Sequence, residues 1–265
     1  MKYDTVIGIL TVRRFDFLTE CVESLFANTP DLTGTVVIVA NNSEDHGFIY
    51  EVDSLANKYG ITTINHRRGR GTSAAWNAMT RLYNCEKVII INDDIYLHPG
   101  WREACEPFLN YDQIGVFGLE AQHGWNNWEY RNPGSPEHAS ETVANPLTYP
   151  PGSFLAYRRE RFDEVGGFDE NLWMGLEEVD FSIRLMLLGY ENFQIGTAKR
   201  DYFYINHYGS ASGYSPTEAA PELREMAHMG VEHFKKKHKT EWTLPVEFEN
   251  ELRAERDRVR RLRGL

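Results

Sequence analysis

Three short stretches of this chain carry residue types whose spacing suits chemistry. The first is Asn92-Asp93-Asp94, which follows the apolar run Val88 to Asn92 (VIIIN). Side chains at the end of a buried strand emerge at the rim of a sheet, and two adjacent carboxylates there repel unless a cation or several donors compensate them. A hard divalent cation taking carboxylate and phosphate oxygens is the simplest compensator. The competing reading is a turn or cap before Pro99-Gly100, where Asp and Asn are favoured. The second stretch is Glu177-Glu178-Val179-Asp180, preceded by Gly166-Gly167-Phe168-Asp169-Glu170. Acids at the start of a helix suit its positive end, which is a sufficient structural explanation for all three. Asp180 has Arg184 four residues on, the spacing of a helical ion pair, whereas Glu178 has Ser182 there and is the freer carboxylate. A carboxylate facing a reaction centre can take a proton from a hydroxyl. The third is His207, after the strand-like run DYFYIN; one histidine among nine is more often structural or exposed than a ligand.

The elements that must hold these groups alternate. Thr5 to Thr11 (TVIGILT), Val36 to Ala40 (VVIVA), Ile61 to Ile64 and Val88 to Asn92 read as buried strands. Between them, Phe15 to Phe26, Phe48 to Tyr59 and Thr72 to Tyr83 carry helical spacing, the first through Leu18, Cys21, Val22, Leu25 and Phe26. This cadence implies a parallel, doubly wound sheet, in which ligands bind beyond the carboxyl ends of the strands. Thr11, Asn41, the Arg67, Arg68 and Arg70 island and Asp93-Asp94 all fall just past those ends. Four polar groups on one rim say more together than any one of them. Glu120 to Pro150, with Trp125 and Trp128, has no period and reads as a long functional or mobile loop. Helical signal returns from Glu178 to Leu188 and again from Val246 to Arg263, where Phe248, Leu252, Val259 and Leu262 share one side.

Composition narrows the function classes. The 265 residues are 42% hydrophobic, ample for a packed core. No stretch approaches the ~20 apolar residues of a membrane span, and no early segment resembles a leader. Three widely spaced cysteines without CxxC spacing argue against a disulfide framework or thiolate zinc site. A soluble chain in the reducing cytoplasm is the expectation. With 28 basic against 39 acidic residues the net charge is −11, so an extended nucleic-acid surface is disfavoured.

The order of these pieces resembles the GT-A glycosyltransferases, most closely the inverting family 2 group. The resemblance rests on VVIVANNSED, HRRGRGTSAAWNAM, VIIINDDIYLHPGW, GSFLAYRRERFDEVGGFDE and GLEEVDFSIRLMLLGY, with His207 closing the set. It implies an α/β fold: a Rossmann-like, doubly wound mixed sheet over residues 1–215, with a nucleotide-sugar half (1–100) and an acceptor half (101–215), then a C-terminal helical extension (216–265). It implies a nucleotide-diphosphate sugar as donor and Mn2+ or Mg2+ as cofactor. Asp94 becomes the leading metal ligand, with Asp93 beside it and His207 completing the site. Glu178 takes the place of the catalytic base, with Glu177 and Asp180 as fallbacks. The donor-binding set is Thr11, Arg13, Asn41, Asn42, Arg67, Arg70, Asn77, Asn92 and Asp93. Gly152, Ser153 and Trp173 are expected on the acceptor side.

Three positions depart from the family pattern: Ala40 where an acid commonly reads the base, Asn92 at the start of the DxD place, and Glu178 for an aspartate. Asn41, Asn42 or Asp45 are the candidate substitutes for Ala40. The acceptor hydroxyl could belong to a saccharide, a lipid-linked sugar, a protein, a small molecule or a modified nucleobase. The last helix, rich in arginine, could pack on the domain, join a homodimer or rest on an anionic surface. A retaining enzyme, a sugar-nucleotide pyrophosphorylase and a non-catalytic binding module are the alternatives; the second lacks its GxGTR-like stretch here.

Overall fold

The structure, a computed structural model, describes residues 2–66, 71–119, 149–173, 175–195, 205–207, 221–239 and 246–264. Its first half runs β1 (Lys2–Thr11), α1 (Phe15–Asn28), β2 (Thr35–Asn41), α2 (His46–Tyr59), β3 (Thr62–Asn65), α3 (Gly71–Leu82) and β4 (Asn84–Asn92). Every element expected there is present with shifted ends. The largest shift is in β4, which begins at Asn84 because the polar residues before Val88 still pair with Lys2 and Tyr3 of β1. Beyond it lie β5 (Ile95–Leu97), α4 (Trp101–Asn110), β6 (Ile114–Leu119), β7 (Phe154–Arg158), α5 (Arg159–Val165), α6 (Glu177–Leu187), β8 (Glu191–Ile195), β9 (Ile205–His207), α7 (Pro221–His238) and α8 (Val246–Arg263). The sequence reading passed over α4, whose interior Pro107 removes a helical hydrogen bond.

The strands form one sheet in the order β3-β2-β1-β4-β7-β6-β8 and a separate ribbon, β5-β9. From β3 to β4 all pairings are parallel, as the cadence implied. The second half departs from it: β7 runs antiparallel to both β4 and β6, which makes the sheet mixed. Chain direction reverses its winding at β1 and β4, and that is where a doubly wound sheet opens a crevice beyond its strand ends.

Alternation sorts the strand residues onto two faces. Ile7, Ile9, Val37, Val39, Ile89 and Ile91 pack with α1, α2 and α4 through Leu18, Cys21, Val52 and Trp101. Val6, Leu10, Ile38, Val88 and Ile90 face α3, α5 and α6 through Trp76, Met79, Phe162 and Phe181. Helix α6 is buried on both sides: its Val179, Ile183 and Met186 form a third cluster with Leu172, Phe234 of α7 and Leu252 of α8.

The expected apolar stripe of α8 is only partly used. Leu252 is buried, Val259 lies against Gly189, and Leu262 is exposed; nothing is described of the Phe248 side chain. The helix docks on its own chain, with Arg260 paired to Glu191 and Arg263 donating to the Leu188 carbonyl and Tyr190 hydroxyl. The buried residues of α8 are thereby taken by α6 and the sheet edge of its own chain, while Leu262 faces outward. Among the described residues no helix is long and apolar enough to cross a membrane.

Two glycines in the sheet test the packing. A Cβ at Gly118 would meet the Phe154 carbonyl oxygen at 2.0 Å, a backbone atom that cannot retreat without breaking the β6–β7 pairing. One at Gly8 would meet the Met79 sulfur at 2.8 Å and the Ile90 Cδ1 at 2.9 Å, both ends of movable side chains. We expect Gly118→Ala to lower unfolding stability by about 3 kcal/mol or more and Gly8→Ala by clearly less, the usual range for overpacking being ~1–3 kcal/mol. Urea titration checks the order; equal losses would show that the sheet relaxes at Gly118.

Candidate active site

The carboxyl ends of the strands form a polar row at one height. Register pairs Thr11 with Asn41, Asn41 with Asn65, and Leu10 with Asn92. Asn41 is fully buried; its side chain donates to Asn65 Oδ1 at 3.2 Å and accepts from the Ser43 N–H at 2.8 Å. Asn42 donates from Nδ2 to the Gly71 carbonyl at 3.2 Å, which fastens the end of β2 to the start of α3. Its buried Oδ1 accepts nothing from the described residues. Asp45 caps α2 through the Phe48 N–H. Of the three substitutes for Ala40, Asn42 is thus the one whose acceptor is left over. Asn65 was missed in the sequence because its strand is short and only partly buried.

Both acids after β4 are buried, Asp93 at 4% and Asp94 at 3% exposure. Thr11 Oγ1 donates to Asp93 Oδ2 at 2.7 Å, and the Val12 N–H also points to this carboxylate. Burial nevertheless pushes the Asp93 carboxyl up to about 7, with the Asp94 charge adding to the rise. Burial thus disfavours the charged form of Asp93, which a nearby cation would favour again.

A dipeptide joins this acid rim to the glutamate helix. The Asn92 N–H donates to the Ser153 carbonyl at 2.9 Å, and the neighbouring Gly152 N–H donates to the Glu178 carboxylate. Glu178 is half-buried, and burial raises its carboxyl to about 6 against the pull of two backbone N–H groups, its own and that of Gly152. Gly152 has to be small: a Cβ there would meet the Trp76 ring at 2.7 Å and approach Glu178 Cδ at 3.9 Å. Trp76 Nε1 and Ser153 Oγ are buried without a partner among the described residues. Burial raises the Tyr149 phenol, and the Glu178 charge adds to the rise. Neither Trp76 nor Tyr149 stood out in the sequence, although Trp76 lies inside a motif already quoted.

Glu177 points elsewhere. It is 5% exposed, takes hydrogen bonds from Thr72 and the Gly175 N–H, and keeps Oε2 without a partner among the described residues. Burial and the Glu178 charge push its carboxyl well above the usual carboxylate range. Trp173 accepts the Thr72 N–H at 2.8 Å, and its ring would meet a Cβ at Gly71 at 2.5 Å. The segment before α6 is thus packed on the N-terminus of α3. Helix α6 itself starts at Leu176 with φ 70° and no side-chain cap. A left-handed residue other than glycine costs about 1–3 kcal/mol and persists only where surrounding contacts enforce it.

Two expected site residues are engaged otherwise. Asn77, placed in the donor set, is 2% exposed; it donates to the Phe168 carbonyl and Glu170 and accepts the Phe168 N–H, tying α3 to the Gly166–Glu170 turn. Asp180, a fallback base, is fully buried with Arg184 at 2.6 Å, Lys237 at 2.7 Å and His238 at 2.8 Å. Burial would raise its carboxyl, but the His238 hydrogen bond and the Arg184 and Lys237 charges hold it below the usual range. Neither group has an atom left for a substrate. Arg13 is exposed past β1 and Asn92 is half-buried. Arg67, Arg68, Arg70, Trp125 and Trp128 lie outside the described residues.

As for a metal, Asp93 and Asp94 are adjacent, buried hard oxygen donors, a set that suits a divalent cation. The β5–β9 ribbon pairs His207 with Ile95, so the backbone of His207 runs beside the residue after Asp94. Its side chain lies outside what the structure describes, and among the described residues no cluster of three or more His, Cys, Asp or Glu side chains forms a metal site.

Comparison with known proteins accords with this geometry. Solved structures with the same fold include the mannosyltransferase PcManGT from Pyrobaculum calidifontis in complex with GDP-Man and Mn2+, with TM-score 0.59, 15% identity, and coverage of 74% of this chain and 56% of that one. Another is GalNAc-T7 with UDP, GalNAc and Mn2+, with TM-score 0.62, 15% identity, and coverage of 86% and 47%. Among curated proteins, a glucosyl-dolichyl phosphate glucuronosyltransferase of Haloferax volcanii is 28% identical over 193 residues, which is 64% of this chain and 57% of that protein. An N-acetylglucosaminyl-diphospho-decaprenol L-rhamnosyltransferase of Mycobacterium tuberculosis is 32% identical over 89 residues, 32% of this chain and 28% of that protein. The chain thus spans only part of the length of the curated relatives it matches. The family model of glycosyl transferase family 2 matches residues 6–179, well over half of the sequence, and the chain belongs to that family.

Proposed function

We propose that this protein is an inverting, metal-dependent glycosyltransferase that moves a sugar from a nucleotide diphosphate to an acceptor hydroxyl, with Glu178 as general base. The observation that carries the reading is the Gly152-Ser153 bridge, which holds the Asp93-Asp94 rim and Glu178 on one short piece of backbone. Donor charge and acceptor proton are then handled by groups whose spacing is set locally. Thr11, Asn41 and Asn42 line the nucleotide side, and the free Oδ1 of Asn42 is suited to a base amide. Arg13, Arg67 and Arg70 would add positive charge toward the diphosphate.

Glu178 takes the acceptor hydroxyl proton as that oxygen bonds to the anomeric carbon, and the carbon–oxygen bond to the diphosphate breaks. The displacement inverts the anomeric centre. Asp94, with Asp93 and His207, would hold a divalent cation, which neutralises the departing diphosphate. Glu177 is hydrogen-bonded by Thr72 and the Gly175 N–H, and burial disfavours a second charge beside the base. Gly152, Ser153 and Trp173 bound the acceptor side. A polyprenyl-linked sugar as acceptor is supported by the names of the curated relatives, which act on a glucosyl-dolichyl phosphate and an N-acetylglucosaminyl-diphospho-decaprenol. The three cysteines are buried and unbonded, in line with a reducing compartment such as the cytoplasm.

Thermal shift with nucleotide diphosphates and Mn2+ or EDTA tests the donor site. Binding at a hundred-fold excess over Kd adds about 2.7 kcal/mol to stability, and Asp94→Ala should abolish the Mn2+-dependent part. An undiminished shift in that variant removes Asp94 from the metal site. The base is tested by turnover. A general base works only when ionised, so kcat should fall as pH drops through about 6, the value set by burial of Glu178. Glu178→Gln should keep donor binding and lose transfer by roughly a thousand-fold or more, and normal turnover would sink the assignment.

A further inference from the structure

The first turn of α6 carries Glu177 and Glu178, yet it starts on a strained residue and lacks a side-chain cap. Its restraints come from two directions. Glu177 reaches α3 through Thr72, and Asp180 reaches α7. Helix α7 presents His233, Lys237 and His238 on that side. Lys237 Nζ lies 2.6 Å from Asp169 Oδ2 and 2.7 Å from Asp180 Oδ1, so one ammonium bridges the turn before α6 and the helix itself. His233 Nε2 stands 2.9 Å from Asp169 Oδ2 and His238 Nε2 2.8 Å from Asp180 Oδ1. Phe234 buries itself between these charges, against Leu172, Val179, Ile183 and Met186. At Gly230, α7 comes so close to the backbone of Asn171 to Trp173 that a Cβ there would touch it at 3.7–3.8 Å.

We propose that Lys237 and His238 are positioning residues for Glu178: α7 latches Asp169 and Asp180 and so fixes the direction in which the first turn of α6 presents its carboxylate. The proposal rests on the reading of Glu178 as base. Both residues lie beyond the stretch matched to the family, which ends at Val179, so the C-terminal part of the chain would complete a site otherwise built by the family core. An exposed ion pair would have little leverage. This one has leverage because Asp180 is wholly buried and the His238 side chain is 7% exposed, so losing a cation strands a carboxylate in the interior. Arg184, which also grips the Val165 carbonyl, remains on the other oxygen and keeps the helix folded when Lys237 is removed.

The test uses the full chain with Lys237→Met and His238→Gln, Lys237→Arg for rescue, and Lys236→Met, an exposed neighbour, as control. Amide hydrogen exchange is read over residues 175–184 and over β1 and β4, and nucleotide-sugar consumption is measured alongside UDP and GDP affinity with Mn2+. Lys237→Met should speed exchange in the first turn of α6 by roughly ten-fold and leave the sheet unchanged, a local opening rather than a global one. Its kcat should fall roughly ten-fold with KM for the donor and diphosphate affinity kept, the pattern of a loss confined to the transition state. Lys237→Arg should restore both, and Lys236→Met should change neither. Unaltered exchange at α6, loss of protection spread evenly over the sheet, or an equal effect of Lys236→Met each overturns the latch. A wild-type chain that consumes no nucleotide sugar overturns the base assignment instead, while the exchange comparison still reads the latch by itself.

Discussion

Two backbone hydrogen bonds from consecutive parts of the chain hold the site together. The Asn92 N–H meets the Ser153 carbonyl, and the Gly152 N–H meets Glu178. Strand β7 begins one residue after this dipeptide and runs antiparallel beside β4, so the reversal that makes the sheet mixed also delivers the bridge to the acid rim. Had β7 been parallel, its first residues would lie at the opposite end of the sheet, and Glu178 would need another anchor. The requirement for a glycine follows from the same place, since Trp76 fills the space where a Cβ would go.

Burial assigns different roles to chemically similar acids. Four carboxylates, Asp93, Glu177, Glu178 and Asp180, sit within the same crevice or the helix beside it, and all are shielded from water to some degree. Asp93 and Glu177 each have neutral donors and a like charge beside them, Asp94 and Glu178, and burial raises both. Asp180 has three cationic partners and is lowered. Glu178, with two backbone donors, lies between, where a carboxylate can both hold and release a proton. Neighbours, rather than residue type, separate the proposed base from scaffold.

The strained start of α6 belongs to the same economy of contacts. Leu176 keeps a left-handed conformation because Glu177 is held by α3, Asp180 by α7, and Val179 by the cluster around Phe234. Helices α3, α6 and α7 therefore act on one turn, and α7 lies wholly beyond the stretch matched to the family.

Much of this was legible from residue order. The buried runs ending in Thr11, Asn41 and Asn92 located a crevice, because a strand that alternates inward on both faces is apolar until it leaves the sheet. Glu178 stood out against Asp180 because only the latter had a helical cation partner, and the structure has that pair with Arg184. Other roles required the folded chain. Asn77 is a donor ligand by the resemblance, but its partners are Phe168 and Glu170, 91 and 93 residues further along the chain, and no local pattern reports them. Likewise, Asp180 reaches Lys237 and His238, the antiparallel β7 slots between β4 and β6, and Asn65 joins the rim through strand pairing. Periodicity records which face of an element is buried, a property of neighbouring residues. Which distant group fills that face, and so whether a buried polar side chain is free to act or already bound, is set only when the sheet closes.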